Sequence, residues 1–311
     1  MKDGIIIYHR VDFDGVFSAC TAEKWINENP GYSSYELFGY TYGDEIPEPE
    51  SWAGNGYNSV IMVDISFPPE YMNKYRNLWK SGVYSDFIWI DHHITAIQDS
   101  INYGYSDIPG IRGLDFAACE YSWKYFYSDT FVPDIIQLLS AYDIWNKDRF
   151  DWGNFVLPLQ YALKAMYGVN QVAVFNEFNK LIWSSPEELE SIILSGKLIF
   201  KYLERAWKSA VKVYSFEITV AGRYKGIAMM SSEFSSNIFS SVMDKYDIYC
   251  VVNRRDFGKY NCSLYIEPGR IESFNAGEYL KENYGGGGHR GAAGCMLNQL
   301  QFDRLINEGQ I

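Results

Sequence analysis

Hydrophobic positions in the first half of the chain come in short unbroken runs separated by helical spacing. The runs "GIIIYH" (4–9), "SVIMVDIS" (59–66) and "SDFIWIDHH" (85–93) predict three strands. Between them, "GVFSACTAEKWINEN" (15–29) and "PEYMNKYRNLWKSG" (69–82) carry apolar residues at three- and four-residue intervals and predict helices. Near-continuous apolar strands alternating with helices specify a parallel sheet covered on both faces. Two more helices are predicted over 119–129 and 133–148, and a long amphipathic one starts at Pro186. Beyond it the texture changes to short β-rich runs, "SFEITVAG", "KGIAMMSS", "DIYCVVNRRD" and "YNCSLYIE".

The expected fold class is therefore α/β, with an N-terminal parallel-sheet domain over 1–184. A linker helix follows over 185–212, and a smaller C-terminal α/β domain over 213–311. A chain of 311 residues is long enough for two such cores. No stretch has the apolar length of a membrane span, and the N-terminus lacks the pattern of a signal peptide. Five dispersed cysteines without a CxxC pair suit a reducing, cytoplasmic setting.

Charge narrows the partners. The net charge is −12, and residues 1–212 hold 17 Lys+Arg against 28 Asp+Glu, whereas 213–311 are nearly balanced. Binding to long duplex DNA rests on phosphate neutralisation by a basic face, so that partner is not expected. A small phosphorylated ligand is compatible, provided metal ions or a few placed cations offset the field.

Each predicted N-terminal strand ends in acid or imidazole: His9, Asp12 and Asp14 after the first, Asp64 on the second, Asp91, His92 and His93 on the third. Ligands of open α/β sheets gather at the carboxyl ends of strands. All four histidines of the chain sit beside such acids or a glycine run. Carboxylates with imidazole and no thiolate suit Mn²⁺, Mg²⁺ or Co²⁺. The set His9, Asp12, Asp14, Asp64, His92 and Asp143 is too large for one ion and suits two that share a carboxylate. Farther on, "GGGGHRGAAG" (285–294) offers Gly286, Gly287 and Gly288 as backbone donors to an anion, followed by the fork of Arg290.

The succession "HRVDFDG", "VDIS", "IDHH", "AYDIW" and "GGGGHRGAAG" resembles the motifs of the DHH phosphoesterase family with its DHH-associated C-terminal domain. That family includes RecJ-type exonucleases, nano-RNase/pAp phosphatases and cyclic-dinucleotide phosphodiesterases. The resemblance covers residues 4–148 and 213–297 and implies an active site in the cleft between the two domains. It implies His9 and Asp12 on a first metal, Asp14, His92 and Asp143 on a second, and Asp64 bridging. His93 would act at the scissile phosphate, with Asp91 orienting it. His289 and the preceding glycine amides would hold the substrate phosphate. Tyr265 stands where nano-RNase-type members carry an arginine, which leaves Arg254 or Arg255 to contact substrate.

The resemblance implies a two-metal phosphoesterase, with Mn²⁺ as the first choice of ion. It would cleave short oligoribonucleotides or small nucleotides such as pAp or linear dinucleotides through a metal-bridging hydroxide. Alternatives are a polyphosphatase or pyrophosphatase, and a catalytically silent nucleotide-binding regulator. No membrane partner is expected, and a homodimer is conceivable.

Overall fold

A computed structural model describes residues 1–168, 175–232, 235–266, 271–288 and 290–311. The chain divides into two compact units, Met1–Phe200 and Lys201–Ile311. Among the described residues no helix is long and apolar enough to cross a membrane.

The first unit opens with β1 (Lys2–His9), α1 (Phe13–Glu28), β2 (Tyr32–Tyr40), α2 (Pro49–Gly54), β3 (Ser59–Val63), α3 (Pro69–Lys80) and β4 (Asp86–Ile90). It continues through α4 (Ile94–Asn102), α5 (Ala118–Phe126), α6 (Asp134–Asp143), α7 (Leu157–Tyr167) and α8 (Phe175–Leu181). The helix α9 (Pro186–Tyr214) crosses the boundary between the units. The four strands form one parallel sheet in the order β2-β1-β3-β4.

Its apolar runs bury both faces, as the unbroken hydrophobicity requires. Ile6, Tyr8, Ile61, Val63, Ile88 and Ile90 pack with Val16, Phe17 and Cys20 of α1 and with residues of α5 and α6. The alternate residues Ile5, Ile7, Val60, Met62, Phe87 and Trp89 pack with Met72 and Tyr75 of α3.

Several expected boundaries shift. The strand β2 is absent from the sequence reading because "YSSYELFGY" mixes polar and apolar residues on an edge, half-exposed along most of its length. The first helix begins at Phe13 rather than residue 15, because the Asp12 side chain caps it by accepting the Gly15 N–H at 2.9 Å. Asp14 thus lies inside the first turn. The third strand stops at Ile90, which leaves Asp91, His92 and His93 in the turn before α4. The helix expected over 133–148 ends at Asp143.

The second unit contains β5 (Phe216–Val220), β6 (Tyr224–Met230), β7 (Ile248–Asp256), β8 (Lys259–Ile266), α10 (Ala276–Tyr284), β9 (Gly287–Gly288), β10 (Ala292–Asn298) and α11 (Gln299–Glu308). Its sheet runs β5-β6-β7-β8-β10-β9, antiparallel except for the β6/β7 pair. Strict alternation along β8 sends Tyr260, Cys262, Leu264 and Ile266 into a core shared with Leu280 of α10 and Leu305 of α11.

Candidate metal-binding site

Parallel strands pair so that β1, β3 and β4 end at one edge of the sheet, and the chain places its acids just past that edge. Asp64 follows β3 with φ +56, a left-handed conformation that aspartate and asparagine accept more readily than most residues. Its N–H donates to the Ile90 carbonyl at 3.0 Å, which ties the turn to β4. The side chain is buried, and its two oxygens face different histidines. Oδ2 lies 3.6 Å from His9 Nδ1, and Oδ1 lies 3.3 Å from His92 Nε2.

On the His9 side, Asp12 Oδ2 stands 2.7 Å from His9 Nδ1. On the His92 side, Nε2 lies 3.5 Å from Asp14 Oδ2 and 3.2 Å from Asp143 Oδ2. The donor atoms fall into the groups His9–Asp12–Asp64, Asp14–His92–Asp143 and Asp64–His92–His93, each within 4.8 Å. All six residues expected as ligands therefore come together.

Asp14 is held from a distance in sequence. Its carboxylate accepts the Ala118 N–H at 2.9 Å and the Cys119 N–H at 2.7 Å, both from the start of α5. A helix N-terminus favours a negative group. The Ser140 hydroxyl of α6 accepts the neighbouring Ala117 N–H at 3.0 Å, so α5 and α6 position Asp14 and Asp143 together.

Asp91 has a different task. Fully buried, its Oδ1 accepts the His92 and His93 backbone N–H groups at 2.7 and 3.0 Å, and lies 2.7 Å from His93 Nδ1. That contact commits His93 Nδ1 to Asp91 and distinguishes His93 from His92, whose Nε2 faces three acids. Burial raises the Asp91 carboxyl, but the His93 hydrogen bond and charge outweigh it and hold the group below the ordinary range.

The donor set fits a pair of hard to borderline divalent cations. Asp64 Oδ1 and His9 Nδ1 are buried without a well-aligned hydrogen bond, and four carboxylates share one small volume. Without cations, protons take their place. Burial disfavours charge on His92, yet Asp64, Asp143 and Asp14 raise it to about 11. Burial likewise opposes charge on His9, which Asp12 and Asp64 raise to about 11. Burial and then the charge of Asp64 push Asp14 well above the usual carboxylate range, and burial and the charge of Asp14 do the same to Asp143.

These shifts have one sign. Each raised group binds its proton more tightly in the folded chain, so its contribution is fully present below the unfolded pKa and lost as pH rises through the folded value. In chelator, the melting temperature should fall from pH 6.5 upward, where the histidines begin to lose their advantage; His93 is spent by about 9, while His9 and His92 extend the fall to about 11. Divalent ions bind the deprotonated ligands, so the stabilisation they add should grow over the same window. Melting curves with and without Mn²⁺ check this. A chelated protein that gains stability across the window contradicts the clustered arrangement.

Two neighbours carry no signal in the sequence. The half-exposed Tyr42 sets its ring 5.9 Å from that of His9. Trp145 follows Asp143 by two residues with φ +57.

The second unit differs from the expected glycine cradle. The Gly286 N–H donates to the Leu280 carbonyl at 3.0 Å, so it is not available to an anion. Gly287 and Gly288 form the edge strand β9, paired with Gly294 and Ala293. At Gly286 a Cβ would run into the Gly294 carbonyl and Cys295, so close strand approach is what this glycine permits. Arg290 is exposed, and His289 lies outside the described residues. Arg255 lines a cavity of about 400 Å³ with Asn261, Ser263, Gly294, Cys295 and Met296.

No family model matches the chain. A curated relative, the uncharacterized protein R106 of Acanthamoeba polyphaga mimivirus, is 24% identical over 249 residues. The match covers 78% of this chain and 54% of that protein, so the chain spans about half the relative's length. Among solved structures, the chain resembles the DHH domain of a protein described as a member of the S1p family of ribosomal proteins. The TM-score is 0.59 at 14% identity, covering 98% of this chain and 85% of the other. It also resembles PggH from Vibrio cholerae, described as a pGpG-specific phosphodiesterase. There the TM-score is 0.52 at 14% identity, over 99% and 96% of the two chains.

Proposed function

We propose, for a chain whose fold is that of the DHH-domain proteins, that it is a metal-dependent phosphoesterase acting on short oligoribonucleotides or small nucleotides. One observation carries the reading: the two oxygens of buried Asp64 face two separate donor groups, His9 with Asp12 and His92 with Asp14 and Asp143. A carboxylate so placed suits a bridge between two ions. Bound there, Mn²⁺, Mg²⁺ or Co²⁺ would supply Lewis acidity toward a phosphoryl oxygen and lower the pKa of water.

The chain's own groups divide the remaining work. Asp91 fixes the His93 ring through Nδ1, so proton transfer or hydrogen bonding toward a leaving oxygen falls to Nε2. In the second unit, Arg290 and Arg255 are the cations suited to a substrate phosphate. The net charge of −12 favours a short substrate over a long duplex.

The test is a panel of pGpG, pAp, short RNA and pyrophosphate with Mn²⁺, followed by chromatography of the products. Mononucleotide or phosphate release from the first three is expected, with loss of turnover by about a thousandfold or more in EDTA, since the ions supply several kcal/mol. Release from pyrophosphate alone would move the activity to phosphoanhydrides. A fully intact panel would overturn the proposal.

A further inference from the structure

We infer that Trp145 is a positioning residue for Asp143, and that its indole is retained in a strained slot for that purpose. The inference rests on the reading of Asp143 as a metal ligand.

Helix α6 ends in a Schellman arrangement. The Ile144 N–H continues the helix to Ser140 at 3.2 Å, after which Asn146 N–H donates to the Ala141 carbonyl at 2.9 Å and Trp145 N–H to Tyr142 at 3.1 Å. The residue after the cap in this motif is left-handed and is usually glycine. Here it is Trp145, at φ +57. Glycine would end the helix with less strain, so termination of the helix does not explain the side chain.

The indole's contacts supply an explanation. It meets Tyr142 at 5.8 Å and Trp152 at 5.0 Å between ring centroids, both edge-on, while Tyr142 and Trp152 stack at 8°. Lys147 Nζ lies 5.3 Å from the indole centroid. Trp152 itself opens a π-helical turn, Trp152–Val156, a form common near functional sites. The three rings thus clasp the end of α6, with Tyr142 directly before Asp143 and Trp145 two residues after it. Asp143 is the final helical residue, and its Oδ2 lies 3.2 Å from His92 Nε2. A helix end frays unless it is tied down, and a frayed end would carry this carboxylate away from His92.

The test titrates Mn²⁺ itself into the full chain by calorimetry, with a thermal melt for each variant. In Trp145→Gly one Mn²⁺ binding event should weaken by roughly 10- to 100-fold, the range for residues that orient a ligand, while the other is unchanged. Trp145→Phe keeps a ring and should retain most of the affinity, although the backbone strain persists. A general packing loss would instead lower the melting temperature and leave the two events balanced. Trp145→Asn, which tolerates the left-handed slot, serves if the glycine variant does not fold, and failure of both to fold would make the indole a core element and overturn the inference. Asp143→Asn is the reference. If it loses one event and Trp145→Gly keeps both, the inference alone falls; if Asp143→Asn also keeps both, the ligand reading falls with it.

Discussion

Replacing Asp64 by asparagine should leave a folded chain whose metal-assisted turnover falls by about a thousandfold or more, equivalent to roughly 4 kcal/mol of transition-state stabilisation. The backbone is not the reason. Asparagine occupies the left-handed region nearly as readily as aspartate, so φ +56 and the 3.0 Å bond from residue 64 N–H to Ile90 are retained. What changes is the pair of oxygens. The carboxylate presents one acceptor toward His9 and another toward His92, whereas the carboxamide has one oxygen and one donor amine. It can serve one side only. The metal-free variant should fold but be somewhat less stable than the parent at neutral pH, because the protonated His9 and His92 lose one of the carboxylates that face them. Metal content per chain, measured by elemental analysis after dialysis, should fall by at least one ion. Normal turnover with two ions bound would remove Asp64 from the bridging role. An Asp64→Ala variant is a poorer test, since alanine at this φ adds about 1–2 kcal/mol of strain of its own.

How much of this was legible in the sequence depends on the range of each interaction. The strands β1, β3 and β4 declare themselves because burial on both faces demands unbroken apolar runs, and the acids at their ends follow from the strand-end rule. The edge strand β2 carries no such demand and reads as loop. Asp14 stands, in the sequence, just before the helix expected over 15–29, yet it sits within the first turn and is held by amides 104 and 105 residues away, a contact with no local trace. The glycine run suggests backbone donors for an anion, but Gly286 and Gly288 answer to the close approach of β10. Trp145 was hidden for the opposite reason: the slot it occupies is recognised by glycine, so a tryptophan there conceals the helix end. The signal that could have brought the α1 start forward was "DFDG" itself, in which Asp12 is a strong capping residue for the amide three positions on.

That same tetrapeptide carries the second large effect. Gly15 lies in the first turn of α1, where the helix passes against the end of β1. A Cβ built on it would stand 2.8 Å from His9 Cβ and closer still to the His9 carbonyl oxygen. Neither obstacle can rotate away, because one is backbone and the other is attached directly to it. Gly15→Ala should therefore cost about 3 kcal/mol or more, beyond the common range for overpacking, since a strand and a helix must separate. Alanine's better helix propensity, worth about 1 kcal/mol, does not offset this. The displacement acts on His9, whose Nδ1 lies 2.7 Å from Asp12 and 3.6 Å from Asp64, and on the 2.9 Å cap from Gly15 N–H to Asp12. Loss of stability and loss of the His9-side ion should thus appear together, the first in urea denaturation and the second in a metal titration under native conditions. An alanine variant as stable as the parent, binding both ions, would mean that the close approach of α1 to β1 is not what fixes His9.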